Sequence, residues 1–132
     1  MHMDQDAGKS RRRLVILVDA DEQSRLLCRT ALSAAGFEVI TASDAGTALL
    51  VAGYTSPDVI LLDVDQPALS SLVRAHDIRA DRRLGDSRII ALTGQREPPS
   101  RHEPGTRFDR IVIKPADEQR ILEAVGEALI SA

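Results

Sequence analysis

Four side chains stand where short apolar runs end. Asp19 follows Leu14-Val15-Ile16-Leu17-Val18, Asp63 follows Val59-Ile60-Leu61-Leu62, Thr93 follows Ile89-Ile90-Ala91-Leu92, and Lys114 follows Ile111-Val112-Ile113. Two carboxylates, a hydroxyl and an ammonium make a set with a definite chemical use. A carboxylate with a pKa near about 4 is ionised at neutral pH and can act as a nucleophile without a base. Its obstacle is charge, because an anion must meet an anionic phosphoryl group, so positioning and neutralisation do most of the work. A divalent cation on carboxylates, typically magnesium with several waters retained, can bridge nucleophile and phosphoryl oxygen. Lys114 supplies a mobile cation, Thr93 a hydroxyl donor, and Gly94 leaves space for the group to enter. Each residue alone has an ordinary structural use, as an Asp after a strand often caps the next helix. The four at matching positions argue for one shared site.

Such a site needs a scaffold that delivers strand ends to one rim. The run over 14–18 is continuously apolar and β-rich, as in a strand buried on both faces. Residues 22–35 then show helical spacing through Leu26, Leu27, Thr30, Ala31 and Ala34, closed by Gly36. A second strand is predicted over 37–41, and a helix capped by Ser43 runs to about Ala52 with Ala45, Ala48, Leu49 and Ala52 on one face. Pro57 precedes the third strand, and a helix from about Ala68 to Ala80 follows it. Strands over 88–92 and 110–113 come next, and Asp117 caps a last helix that buries Ile121, Leu122, Val125, Leu129 and Ile130. Alternating strands and helices predict an α/β fold with a five-stranded parallel sheet, flavodoxin-like and doubly wound in the order 2-1-3-4-5. In that order the switch point lies between the first and third strands, where ligands gather outside the carboxyl ends. Asp19 and Asp63 belong to those two strands.

The segment from Gly94 to Gly105 breaks the rhythm with three prolines and almost no apolar residues, so the fourth helix is predicted to be short or irregular. Residues 1–13 carry no periodicity and read as a flexible tail before a single domain over 14–132. Gly8-Lys9-Ser10 echoes the end of a phosphate-binding loop, but Met3 stands where that motif needs glycine and no strand precedes it. His76, among charged neighbours, and His102 match no metal spacing and read as solvated surface residues.

Composition narrows the classes further. Aromatics are 2% of the 132 residues, so the core must be Leu, Ile, Val and Ala, and base-stacking nucleic-acid modules are disfavoured. A net charge of -3 offers no general basic surface to nucleic acid or to an anionic membrane. No apolar stretch approaches the roughly 20 residues needed to span a bilayer. Cys28 is the one cysteine, which excludes an internal disulfide and fits a reducing, cytoplasmic location; its neighbours mark it as a packing or surface thiol. The last helix takes the chain to its end, so no output domain is expected within it.

These residues together resemble the response-regulator receiver domain of two-component signalling, over residues 14–131. The resemblance is carried by Leu17-Val18-Asp19-Ala20-Asp21, by Pro57-Asp58-Val59-Ile60-Leu61-Leu62-Asp63, by Pro67, by Ala91-Leu92-Thr93-Gly94 and by Val112-Ile113-Lys114-Pro115. It implies that Asp63 accepts a phosphoryl group from a histidine kinase or a histidine phosphotransfer protein and that signalling proceeds through protein contacts. It implies that Asp19, Asp63 and the backbone carbonyl of Asp65 hold magnesium, with Asp21 a further candidate ligand. Thr93 and Lys114 would be the switch hydroxyl and the active-site lysine, and the Lys114-Pro115 bond would be cis. Receivers are not enzymes in the ordinary sense; at most Asp63 would phosphorylate and dephosphorylate itself. Departures from the family pattern are Ala20, where the direct metal ligand usually stands, Ile111, where an aromatic usually stands, and the proline-rich fourth helix. They imply weaker magnesium binding and an altered switch.

Two other readings compete. A pseudo-receiver would keep the fold as a protein-binding module independent of phosphate, as Ala20 and Ile111 suggest, but Asp63, Thr93 and Lys114 are all retained. Asp63-Val64-Asp65 also resembles the nucleophile motif of haloacid-dehalogenase phosphatases. There the motif lies on the first strand and a further acidic pair follows the lysine strand; here it lies on the third strand.

Overall fold

The computed structural model describes residues 12–65, 80, 84, 86–94 and 108–130. Five strands are present: β1 (Leu14–Val18), β2 (Glu38–Ala42), β3 (Val59–Asp63), β4 (Arg88–Thr93) and β5 (Arg110–Ile113). Three helices accompany them among the described residues: α1 (Glu22–Ala34), α2 (Ala45–Thr55) and α3 (Glu118–Ile130). The strands form one sheet in the order β2-β1-β3-β4-β5, and every pairing is parallel. The predicted sheet order is the observed one. Most of the helix expected over 68–80, Pro67, the segment after Gly94, all three histidines and most of the amino-terminal tail lie outside the described residues.

Strand alternation divides the core in two. Ile16, Val18, Ile60, Leu62, Ile89 and Ala91 point to one face, where Ala48 and Ala52 of α2 and Phe108 pack on them. Val15, Leu17, Val59, Leu61, Ile90, Leu92 and Val112 point to the other, under Cys28 and Leu32 of α1 and Ile121, Ala124, Val125 and Ala128 of α3. Both faces are covered, which is why these strands read as continuous apolar runs rather than alternating ones. Each fully buried Leu or Ile contributes about 1.5–3 kcal/mol relative to leaving it in water.

The helix faces differ in detail from the sequence reading. In α1 the buried residues are Cys28, Ala31 and Leu32, whereas Leu26 and Leu27 are exposed. In α3 the small residues Ala124 and Ala128 are buried and Ile130 is exposed. Both differences have one cause: a helix lying close to a sheet puts small side chains at the point of nearest approach, so size outranks hydrophobicity there.

Helix ends follow capping chemistry. Asp21 caps α1 by accepting the Ser24 N–H at 2.8 Å. Asp44, not the predicted Ser43, caps α2, accepting both the N–H and the hydroxyl of Thr47. Asp117 caps α3 by accepting the Arg120 N–H at 2.8 Å. Gly36 takes φ +99° just after α1, with its N–H on the Ser33 carbonyl and the Phe37 N–H on the Leu32 carbonyl. That is the left-handed helix stop expected of glycine. Asp58 fastens the opposite end of the sheet, where its carboxylate accepts the Leu14 N–H at 2.8 Å.

Candidate functional site

Parallel register sets the site. Val18 pairs with Leu62, Asp63 with Leu92 and Thr93 with Ile113, so the residue after each strand end reaches one common rim. Backbone bonds continue the ladder past the strands: Asp19 N–H donates to the Ala42 carbonyl, Val64 N–H to Leu92 and Lys114 N–H to Thr93. Asp19, Asp63, Thr93 and Lys114 are therefore placed by rigid elements rather than by free loops.

Two carboxylates and a lysine meet at the centre. Lys114 Nζ lies 3.2 Å from Asp19 Oδ1 and 3.3 Å from Asp63 Oδ2. Asp19 is fully buried, and a buried charge must be compensated. Its compensation is complete on both oxygens: Ser24 Oγ donates to Oδ2 at 2.6 Å, and Asp21 N–H donates to Oδ1 at 2.9 Å beside Lys114. Arg25 also donates to the Asp19 carbonyl at 2.7 Å. Asp63 is 5% exposed, and burial raises its pKa above the usual carboxylate value; the Asp65 N–H and Lys114 pull it back down, while Asp19 adds to the rise. Burial works against the charge on Lys114, yet Asp19 and Asp63 outweigh it and hold the ammonium above its ordinary pKa.

The other half of the site is built around Asp65. Its N–H donates to Asp63 Oδ1 at 3.0 Å. Its carboxylate accepts the buried Thr93 hydroxyl and the Gly94 N–H, each at 2.7 Å. The Lys114-Pro115 peptide bond is cis.

The structure brings the four strand-end residues to one rim and adds residues that sequence reasoning missed. Ser24 and Arg25 fasten Asp19; their signal was faint, consisting of an Asp-x-x-Ser cap just after the strand. Asp65 was considered for its backbone carbonyl, whereas its side chain holds Thr93 and Gly94. Asp21 spends its carboxylate on the Ser24 N–H at the start of α1, and Ala20 is exposed. Cys28 is buried beneath the site, and burial, reinforced by Asp19, pushes its thiol up to about 11.

No three His, Cys, Asp or Glu side chains cluster as a metal site among the described residues. Two carboxylates do converge on a common cation, those of Asp19 and Asp63. Magnesium is characteristically held by one or two carboxylates with water in its other positions. The donor set therefore fits that ion in type and number.

The fold has counterparts among known proteins. The model of the response regulator receiver domain family matches residues 15–126, and the chain belongs to that family. A probable transcriptional regulator, ycf27 of Guillardia theta, is 38% identical over 79 residues, 60% of this chain and 30% of the relative. The response regulator PleD of Caulobacter vibrioides is 31% identical over 114 residues, 84% of this chain and 25% of the relative. The chain thus spans less than a third of these relatives. Among solved structures, the chemotaxis response regulator CheY4 of Vibrio cholerae superposes with a TM-score of 0.81 at 25% identity, covering 89% of this chain and 99% of that one. The receiver domain of a Pseudomonas aeruginosa sensor histidine kinase, with magnesium coordinated in its active-site cleft, gives a TM-score of 0.80 at 21% identity over 91% of this chain and 99% of that one. The family is one of signalling modules in two-component systems. No helix among the described residues is long and apolar enough to cross a membrane.

Proposed function

We propose that this chain works in a phosphorelay by accepting a phosphoryl group on Asp63 from a histidine kinase or a histidine phosphotransfer protein. The observation that carries the reading is the position of Asp63, a carboxylate at the switch point of the sheet, with Lys114 Nζ at 3.3 Å and Asp19 on the lysine's other side. Asp63 supplies the attacking oxygen, and Lys114 offsets negative charge as the phosphoryl group arrives. Thr93 and Gly94 are the donors for a phosphoryl oxygen. Asp19, Asp63 and the Asp65 carbonyl would hold magnesium, which when bound supplies further charge neutralisation. Asp21 is left out of that set because its carboxylate caps α1.

A second reading, the phosphate-independent pseudo-receiver, is favoured by one observation: Thr93 and Gly94 already hold a carboxylate from the chain itself. One experiment separates the two. The protein is incubated with acetyl phosphate and magnesium and its intact mass is followed. A gain of one phosphoryl group that is absent in Asp63→Asn supports the phosphoacceptor. No gain under any metal condition favours the pseudo-receiver.

A further inference from the structure

Asp65 is seated on the two groups that an incoming phosphoryl oxygen would use. Thr93 Oγ1 donates to Asp65 Oδ1 and Gly94 N–H donates to Asp65 Oδ2, both at 2.7 Å. Two adjacent residues thus grip the two oxygens of one carboxylate, and hydrogen bonds to an ionised acceptor are about twice as strong as neutral ones. The grip is anchored from behind, because the Asp65 N–H donates to Asp63 Oδ1 at 3.0 Å. A Cβ placed at Gly94 would stand 3.6 Å from Asp65 Oδ2, an ordinary van der Waals contact, so the carboxylate lies directly against this residue. Lys114 faces elsewhere, toward Asp19 and Asp63. The site is therefore split, with its cation turned to the acceptor and its neutral donors filled by an internal anion.

We propose that Asp65 is a built-in competitor, a carboxylate that occupies the Thr93 and Gly94 donors in the unmodified protein and must leave them before a phosphoryl group on Asp63 can be held. The inference rests on Asp63 as the acceptor. In the charging step an oxygen of Asp63 bonds to phosphorus while the bond from phosphorus to the donor's leaving atom breaks: an imidazole nitrogen of a phosphohistidine, or the acyl oxygen of acetyl phosphate, from which acetate departs with the electron pair. The transferred group brings anionic oxygens to donors already satisfied by an anion. Asp65 opposes the step by occupying those donors and by adding like charge beside them. Release of the phosphoryl group lets the carboxylate return.

The test uses the whole chain as wild type, Asp65→Asn and Asp65→Ala, with two readouts. The first is the rate of phosphoryl gain from acetyl phosphate and magnesium, followed by intact mass. The second is hydrogen exchange of the Gly94 amide in the unmodified protein. Asp65→Ala removes both bonds, and one charge-assisted bond alone corresponds to about a tenfold change, so this variant should charge at least about tenfold faster. Its Gly94 amide should lose a similar factor of protection. Asp65→Asn keeps the shape and should fall between, which guards against misreading a folding defect in the alanine variant. If Gly94 loses protection while both variants charge no faster than wild type, the competitor role is overturned and Asp63 stands as acceptor. If no chain gains a phosphoryl group, Asp63 as acceptor falls, and the competitor role falls with it.

Discussion

Replacing Lys114 with Met removes the cation that lies between Asp19 and Asp63. Its Nζ is 3.2 Å and 3.3 Å from carboxylates whose side chains are 0% and 6% exposed. With an effective dielectric constant near 20, each contact is an attraction of about 5 kcal/mol before desolvation. Desolvating the ammonium and ordering its long side chain offset much of that. Breaking a buried pair by removing one partner costs about 3–5 kcal/mol, and the lower figure suits a lysine that keeps some exposure. Lys114→Met is therefore expected to lose about 3 kcal/mol at neutral pH, which lowers the urea midpoint by about 2 M for a slope of about 1.5 kcal/mol/M. The pH dependence has a definite sign. Lys114 has a raised folded pKa, so its contribution is fully present below 10.5 and is lost as the pH rises through the folded value. On the acid side the difference between wild type and variant shrinks as Asp63 takes up its proton, because one of the two carboxylate charges that Lys114 faces disappears. Urea unfolding of both proteins at several pH values checks this. Equal stability at neutral pH, or a deficit that does not change toward acid, would refute the role given to Lys114 between the two carboxylates.

Asp63→Asn should raise the thermal midpoint by a few degrees at neutral pH, measured by calorimetry. The folded pKa of Asp63 is raised, so its penalty is absent below the ordinary value of 3.8, grows as the pH climbs to the folded value and is complete above it; the gain in the variant should vanish in acid accordingly. Ala20→Asp adds a third carboxylate next to Asp19 in the chain and should tighten magnesium binding about tenfold in a calorimetric titration. Cys28, 3% exposed and with its thiol up to about 11, should resist thiol reagents at pH 8 in the folded protein and react freely in urea.

The sheet was legible because each strand is buried on both faces and so announces itself as an unbroken apolar run. The strand ends could then be read directly, and Asp19, Asp63, Thr93 and Lys114 followed from them. The helix faces were harder. Cys28, Ala124 and Ala128 are buried where Leu26 and Ile130 are not, because close approach to the sheet selects for size over hydrophobicity. Hardest were the bonds that tune the site. Ser24 on Asp19 depends on the angle at which α1 leaves the rim, and the Asp65 grip on Thr93 depends on a neighbour 28 residues away. The Asp-x-x-Ser cap is a faint local trace of the first, and no local pattern encodes the second. Ala20 stood out as a departure in the sequence, but that Asp21 gives a carboxylate oxygen to the Ser24 N–H as the cap of α1 became visible only in the folded structure.

The most direct test of the central claim is chemical mapping of the phosphoryl group. The protein is charged with acetyl phosphate and magnesium, reduced with borohydride, which converts an aspartyl phosphate to homoserine, and then digested and sequenced by mass spectrometry. Homoserine is expected at position 63 alone, and none in a parallel sample of Lys114→Met charged for the same short time. Homoserine at Asp65 or another carboxylate, or none anywhere after prolonged charging, would contradict it.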